Sequence, residues 1–180
     1  MMRGYAGKLL DVDLSSGSIG ETRVPEEDLK NYVGGRGLAA KIAWDRLGTR
    51  WENVDPLGPE NILLLLTGPL TGYYPWTKVC VSGKSPQSNG LVGSTVAGEF
   101  EVDLKCAGYD GIIVSGRAEK PCYLFICDNH VEIKDASPVW GAAARETLRF
   151  SRRIQEECCW NQAALRGGEG ALNPLHWAGW

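Results

Sequence analysis

The apolar stretch Ile62-Leu63-Leu64-Leu65-Leu66-Thr67 decides the fold of this chain. It shows no alternation between apolar and polar residues, and a short run of this kind is typical of a strand that is buried on both faces. The turn sequence Gly68-Pro69-Leu70-Thr71-Gly72 follows it directly and ends the strand. We therefore predict a strand here that is covered on both sides.

Short strands and short helices alternate along the chain on either side of this stretch. Alternating or apolar patterns predict strands at 8–14, 18–24, 79–82, 91–95, 111–115, 122–127 and 131–134. Helices are predicted at 25–34, 38–47, 99–106 and 138–153, the third closed by Gly108. A strand–turn–strand–helix unit thus occurs near each end, which indicates a duplicated architecture. The whole pattern predicts an α+β fold with short antiparallel strands.

Composition and charge exclude several classes of protein. Hydrophobic residues make up 43% and charged residues 23% of the 180 residues, as in a globular protein rather than a disordered one. A net charge of −3, from 19 basic and 22 acidic residues, argues against binding to nucleic acid or to an anionic membrane. The longest strongly apolar run, at 62–66, is far shorter than the about 20 residues that cross a bilayer. Without the apolar core of a signal peptide at the N-terminus, a cytoplasmic location is expected.

The cysteines and histidines form no recognisable ligand set. They stand at Cys80, Cys106, Cys122, Cys127, Cys158 and Cys159, and at His130 and His176. Metal sites usually contain close pairs of the Cys-x2-Cys type, which are absent from this sequence. In a cytoplasmic chain we expect the cysteines to be buried, inert thiols, and the histidines to be surface or structural residues. The same spacings offer no Ser-His-Asp or Cys-His set, which argues against nucleophilic catalysis by this chain alone.

Three glycine-rich stretches could approach a ligand, and each has a structural alternative. Gly34-Gly35-Arg36-Gly37 precedes a predicted helix, where phosphate is attracted, or it joins the end of one helix to the start of the next. The second stretch, Gly68-Pro69-Leu70-Thr71-Gly72, leads through an aromatic loop to Lys78. This lysine either holds a phosphate or a flat polar ring, or it is a solvated surface residue. The stretch 90–98 either presents N–H groups to an anion or packs tightly against a helix.

Seven segments, in this order and at similar spacing, resemble the N-terminal domain of the tungsten-containing aldehyde:ferredoxin oxidoreductases. The resemblance covers about residues 5–150. Its segments are 5–16, Gly34-Gly35-Arg36-Gly37-Leu38, Asp55-Pro56-Leu57-Gly58-Pro59-Glu60-Asn61, Gly68-Pro69-Leu70-Thr71-Gly72, Lys84-Ser85-Pro86, Leu104-Lys105-Cys106-Ala107-Gly108-Tyr109-Asp110, and Asp135-Ala136-Ser137 with Trp140-Gly141.

The resemblance implies a mainly β, two-part domain with pseudo-twofold character. In the family this domain is the base for two pterin dithiolene ligands of tungsten, or of molybdenum in some relatives. Members oxidise an aldehyde to a carboxylic acid and pass electrons through a [4Fe–4S] cluster to ferredoxin. The pterin sulfurs, rather than cysteines, hold the metal, which is consistent with the lack of a ligand set here.

The resemblance also implies four cofactor-binding residues. Lys78 stands where the family usually has a pterin-contacting Arg, and it keeps the charge but loses the planar fork. Thr95 stands where a pterin-binding Asn is usual. Ala97 occupies a position that is usually Gly, so a methyl group is added where backbone approaches the cofactor, and Gly98 keeps its Gly. No catalytic residue and no metal ligand is carried over.

Family parts that follow this domain have no counterpart in the sequence, namely the cluster cysteines, the second pterin motif and the catalytic acidic residues. We therefore expect a cofactor-cradling domain at 1–150, an atypical tail at 151–180, and no activity from this chain alone, although a separate chain could carry the rest. One alternative is a non-enzymatic module that binds pterin or a partner through Trp177 and Trp180. Another is a nucleotide-binding protein that uses 34–37.

Overall fold

The computed structural model describes residues 3–74, 77–128, 130–155 and 165–167. Strands and helices follow each other in short segments, and each predicted strand is present. The strands are β1 (Lys8–Asp13), β2 (Ser18–Arg23), β3 (Leu63–Leu66), β4 (Val79–Lys84), β5 (Leu91–Val96), β6 (Gly111–Ser115), β7 (Cys122–Cys127), β8 (His130–Asp135) and β9 (Leu165–Gly167). The α-helices are α1 (Glu26–Tyr32), α2 (Gly35–Leu47), α3 (Phe100–Cys106) and α4 (Ala144–Gln155).

The strands form one large and one small sheet. The large sheet has the order β2-β1-β6-β3-β4-β5, and the small one has the order β8-β7-β9. Neighbouring strands are antiparallel, except that β1 and β6 run parallel. The hairpin–helix unit recurs as β1-β2-α1 and as β7-β8-α4, with a short 3-10 turn before α4. The predicted α+β class is therefore confirmed, with one parallel pair inside a mainly antiparallel architecture.

Strand β3 lies inside the large sheet and is buried on both faces, as its sequence predicts. Leu64, Leu65 and Leu66 are fully buried. Because successive side chains of a strand point to opposite faces, Leu65 enters one hydrophobic core while Leu64 and Leu66 enter another. The first core contains residues of α3 and β7, and the second contains residues of α1 and α2. The large sheet is therefore a middle layer between two covers.

The small sheet has a cover of its own. Phe125 of β7 and Ile154 of α4 form a third cluster, joined by Tyr123 and Phe150. The rings of Tyr123 and Phe150 meet edge to face with centroids 5.8 Å apart. Helix α4 therefore packs on the side of β7 that faces away from the large sheet.

The buried side chain of Asp110 ties three parts of the chain together. Its carboxylate accepts hydrogen bonds from the backbone N–H groups of Ala6 (3.0 Å) and Gly7 (2.6 Å), and from the Lys105 Nζ (2.5 Å). Its backbone oxygen accepts from the N–H of Thr67 (3.0 Å) and from the Thr67 hydroxyl (2.7 Å). Asp110 therefore joins the N-terminal segment, the end of β3 and helix α3.

Two helices begin three or more residues from the predicted position, and glycines lie at both starts, whereas α1 and α3 begin within one residue of the prediction. Helix α2 begins at Gly35 rather than at 38, because the glycines expected to precede it form its N-cap (Gly34) and its first turn. A Cβ on Gly34 would lie 2.5 Å from the Thr67 oxygen, and one on Gly37 would lie 2.5 Å from the Tyr32 oxygen. Helix α4 begins at Ala144 rather than at 138 because Gly141, with φ of 76°, interrupts the helix after the 3-10 turn Ser137–Val139.

The cysteines differ in part from the expectation of buried thiols. Cys80 and Cys122 are buried and free, but Cys106 is exposed because it faces outward at the end of α3. Cys127 is disulfide-bonded, so the expectation of thiols throughout is wrong at this residue. Cys158, Cys159, His176, Trp177 and Trp180 lie outside the described residues.

Helix α3 carries two carboxyl groups whose surroundings disfavour charge. Glu101 is 2% exposed, and its Oε2 has no hydrogen-bond partner. Burial raises the pKa of Glu101, although the backbone N–H groups of Glu101 and Gly98 oppose this effect. Burial, together with the charges of Glu99 and Glu101, raises the pKa of Asp103 to about 6. Both groups therefore hold a proton more tightly in the folded chain than in the unfolded one.

No helix in the described ranges is long and apolar enough to cross a membrane.

We expect Asp110→Asn to lower the free energy of unfolding by about 3 kcal/mol, because it leaves the Lys105 ammonium, whose side chain is 12% exposed, without its charged partner. Urea unfolding followed by circular dichroism measures the change. Asp45→Asn breaks the exposed Lys41–Asp45 pair on α2 and serves as the control, with an expected change within about 0.5 kcal/mol. Equal effects of the two substitutions would contradict the anchoring role of Asp110.

We expect Glu101→Gln to remove part of the loss of folding stability that the parent chain shows as the pH rises. With its pKa raised on folding, Glu101 releases its proton more readily in the unfolded chain, so stability falls as the pH rises from the ordinary carboxyl value through the raised one. The variant gains stability over the parent chain at pH 8 and loses that advantage near pH 4. Urea unfolding at both pH values tests this, with the exposed Glu60→Gln as the control. An advantage that is equal at both pH values would refute the assignment.

Candidate cofactor-binding site

The four residues that the resemblance singles out lie together at one end of the β4–β5 pair. Strands β4 and β5 are antiparallel, with Val79 opposite Val96 and Cys80 opposite Thr95. Lys78 comes immediately before β4, and Ala97 and Gly98 come immediately after β5. All four residues therefore lie at the open end of this pair, which is the end away from the turn that connects the two strands. Their proposed role in binding a cofactor stays a prediction.

This open end is accessible from outside. Lys78, Thr95, Ala97 and Gly98 are all exposed. A Cβ placed on Gly98 would meet no atom within 4 Å. A ligand could therefore approach the backbone at this position, as a pterin would require.

The start of helix α2 lies on the same side of β4 and β5 as Thr95. A Cβ on Gly35 would lie 3.5 Å from the Cβ of Cys80, and Cys80 is the residue opposite Thr95. The N-cap residue of this helix is Gly34, which offers no capping side chain. The first N–H groups of a helix are left without intrahelical partners, and they carry its partial positive charge. This end of α2 therefore adds positive potential beside Thr95.

Arg36 crosses from α2 to β5. Its Nη2 donates a hydrogen bond of 2.5 Å to the backbone oxygen of Gly93. A Cβ on Gly93 would lie only 2.8 Å from the Arg36 Cγ and 2.9 Å from its Nε. The side chain of Arg36 therefore runs directly over the bare backbone of Gly93, two residues before Thr95.

Sequence reasoning placed Arg36 in a glycine-rich stretch that could attract phosphate, but it did not connect this residue with β5. The available signal was Gly93, since a glycine inside a strand often marks a place where another group approaches the backbone closely. Sequence reasoning also missed Glu101, whose burial beside Gly98 depends on the packing of α3. Nothing in the local pattern of the stretch after Gly98 distinguishes this carboxyl group from its exposed neighbour Glu99.

Charge is distributed unequally around the open end. Lys78 and Arg36 bring positive charge from β4 and α2, while Glu99, Glu101 and Asp103 bring carboxyl groups from the segment after β5. Burial disfavours the charged forms of both Glu101 and Asp103, but an Asp103 carboxyl with a pKa of about 6 still carries most of its negative charge at neutral pH. An anionic group is therefore better accommodated on the β4 and α2 side than beside α3.

The glycine-rich loop after β3 reaches the same region. A Cβ on Gly34 would lie 3.1 Å from the Cα of Gly68, so α2 begins against the first residue of this loop. Tyr73 and Tyr74 are 75% and 66% exposed farther along it. In the parts of the chain that the structure describes, no three His, Cys, Asp or Glu side chains cluster as metal ligands would.

Comparison with known proteins identifies relatives of the chain. Residues 9–178 match the family model of the aldehyde ferredoxin oxidoreductase N-terminal domain. A protein of Pyrococcus furiosus described as "Aliphatic sulfonate oxidoreductase, WOR-like subunit" is 52% identical over 157 residues, which are 87% of this chain and 25% of that protein. A tungsten-containing aldehyde ferredoxin oxidoreductase of the same organism is 42% identical over 154 residues, which are 84% of this chain and 25% of the relative.

A solved structure shares the fold. It is the active site complex BamBC of benzoyl coenzyme A reductase with 1,5-dienoyl-CoA, and one of its chains superposes with a TM-score of 0.80 at 38% identity. The similarity covers 87% of this chain and 24% of the other. The chain thus spans about a quarter of the length of the relatives it matches. On this similarity in sequence and fold, the chain belongs to the aldehyde ferredoxin oxidoreductase family and corresponds to its N-terminal domain.

Proposed function

We propose that this chain binds the tungstopterin cofactor of an oxidoreductase of the aldehyde ferredoxin oxidoreductase type. The observation that carries the proposal is the meeting of Lys78, Thr95, Ala97 and Gly98 at the open end of β4 and β5. These residues are 20 positions apart at most in the sequence, and the antiparallel register, with Val79 opposite Val96, brings positions 78 and 97 to the same end of the strand pair. The tungsten-containing relatives support the same assignment.

The residues present suit a pterin that carries a phosphate group. Lys78 supplies a point charge for the anionic part, and the Thr95 hydroxyl can donate or accept one hydrogen bond. The open space above Gly98 admits close approach of a ring or phosphate to the backbone. Ala97 narrows that approach by one methyl group. The site therefore fits the cofactor, with fewer charged hydrogen bonds than an Arg at position 78 would offer.

When bound, a tungsten or molybdenum bis-pterin supplies the oxidation of an aldehyde with water to a carboxylic acid, with the electrons passing through a [4Fe–4S] cluster to ferredoxin. This chain would contribute orientation, by holding one side of the pterins with Lys78, Thr95 and the backbone at 97–98. In this proposal, residues 1–150 form the cradle and 151–180 an atypical tail. The cluster ligands and catalytic acids belong to the part of the family protein that this chain does not span.

The choice of substrate falls outside this domain in the proposal. One relative is named for aliphatic sulfonates and another for aldehydes, although both match the chain over more than four-fifths of its length. A domain that holds the cofactor from one side can be shared by enzymes that differ in the walls of the substrate pocket. The same separation implies that this chain alone does not turn over.

We expect Lys78→Ala to weaken the binding of a phosphorylated pterin about tenfold, because it removes the positive charge nearest the proposed phosphate position. Dihydroneopterin triphosphate is a practical probe, with its binding followed by fluorescence. The control Lys30→Ala removes an exposed lysine from α1 and should leave the affinity unchanged. A parent chain without affinity for the probe, or equal losses in both variants, would count against the site.

We expect Ala97→Gly to tighten binding of the same probe by a few-fold, because it removes the methyl group from the proposed path of the cofactor to the backbone. Ala118→Gly, in a coil segment outside the site, is the matched control for the added flexibility of glycine. Tighter binding in neither variant, or in both alike, would show that Ala97 does not face the probe.

We expect the purified chain to contain no stoichiometric [4Fe–4S] cluster and to oxidise no aldehyde. Metal analysis combined with visible absorbance measures the tungsten and iron content. Stoichiometric tungsten together with a bound cluster would overturn the proposal that this chain supplies only the cofactor-binding part.

A further inference from the structure

Strand β5 carries Thr95 but has little support of its own. It is the outermost strand of the large sheet and pairs with β4 alone in the part of the chain that the structure describes. Four of its six residues are exposed and none is fully buried. Strands with so few buried contacts open locally at low cost in free energy. The position of Thr95 and of the turn after it therefore depends on whatever else holds β5.

The start of helix α2, in contrast, is fixed to the most buried strand. The N–H of Gly35 donates to the Thr67 oxygen at 3.1 Å, directly after β3. Thr67 is itself 3% exposed and donates both its N–H and its hydroxyl to Asp110. A Cβ on Gly34 would collide with the Thr67 oxygen, so the backbones touch. Arg36 thus leaves a helix end that is anchored in the core.

Arg36 connects these two regions through one close contact. Its guanidinium donates to the Gly93 oxygen, and its aliphatic stem lies over Gly93 at distances that leave no room for a methyl group. The Arg36 side chain can therefore hold β5 by packing against the Gly93 backbone as well as through the hydrogen bond. Arg36 and Gly93 are complementary, because the long side chain of Arg36 occupies the space that a side chain at position 93 would need.

We propose that Arg36 is a positioning residue that clamps β5 onto helix α2 and so keeps Thr95 and residues 97–98 in the geometry that binds the pterin. The inference rests on the proposed function, but the clamp itself concerns only the residues of this chain. Arg36 acts through the backbone of β5 and does not need to touch the ligand. A lysine in its place retains one charged donor but loses the planar group, so it restores the clamp only in part.

The test combines hydrogen exchange with binding of dihydroneopterin triphosphate to the 180-residue chain. We expect Arg36→Ala to speed amide exchange of residues 91–98 about tenfold, as loss of one hydrogen bond implies, and to weaken probe binding by a similar factor, with exchange in β1 and β6 unchanged. Arg36→Lys should recover part of both losses. Gly93→Ala should have the same effects as Arg36→Ala, because the new methyl group displaces the Arg36 side chain.

The double variant distinguishes a shared contact from two unrelated effects. If Arg36 and Gly93 act as one clamp, combining Arg36→Ala with Gly93→Ala should cause no greater loss than Arg36→Ala alone. Arg50→Ala is the matched control, because Arg50 is also an exposed arginine that donates to one backbone oxygen, that of Arg46 at 2.7 Å, near the other end of α2. We expect this control to leave residues 91–98 unaffected.

The outcomes separate the clamp from the proposed function. Unchanged exchange of residues 91–98 in Arg36→Ala overturns the clamp, whatever happens to probe binding. Lost binding with unchanged exchange shows instead that Arg36 contacts the ligand directly. Faster exchange in a chain whose parent form never binds the probe supports the clamp and removes the proposed function. If Arg36→Ala does not fold, Arg36→Lys and Gly93→Ala answer the same question.

Discussion

Burial of strand β3 on both faces is the constraint on which the rest of this structure depends. Leu64, Leu65 and Leu66 carry no polar group that could face water, and burial of each contributes about 1.5–3 kcal/mol. That stabilisation requires a cover on each side of the sheet. Helices α1 and α2 form one cover, and α3 together with β7 forms the other. A chain with only one of these covers would expose at least one leucine of β3.

The end of β3 also positions the candidate site. Thr67 follows the last leucine, donates two hydrogen bonds to Asp110, and accepts one from the N–H of Gly35. Helix α2 is thereby fixed at its first residue, and Arg36 extends from it to Gly93 on β5. The contacts of Thr67 with Gly35 and of Arg36 with Gly93 thus connect a cofactor site at the edge of the sheet to the rigid core. Such support matters because a binding geometry is only as well defined as the elements that carry it.

The unequal distribution of charge gives the proposed site a direction. Lys78 and the start of α2 favour an anionic group on one side, whereas the carboxyl groups of α3 disfavour it on the other. Burial raises the pKa of Glu101 and raises that of Asp103 to about 6, and at neutral pH Asp103 still keeps most of its negative charge. A pterin with a phosphate would therefore orient its anionic end toward β4. The domain would fix the cofactor without selecting the substrate, in line with the different substrates for which its relatives are named.

The sequence by itself determined the order of strands and helices, the two-sided burial of β3 and the closing of α3 at Gly108, because hydrophobic periodicity and glycine preference are local properties. It also carried the family resemblance, since seven segments in order are visible without coordinates. Only the tertiary structure decided that β1 and β6 pair in parallel, that Glu101 is buried beside Gly98, and that Arg36 meets Gly93. Arg36 and Gly93 are 57 residues apart, and their contact exists because β3 brings α2 and the β4–β5 pair together. No local pattern records a contact that depends on how separate elements pack.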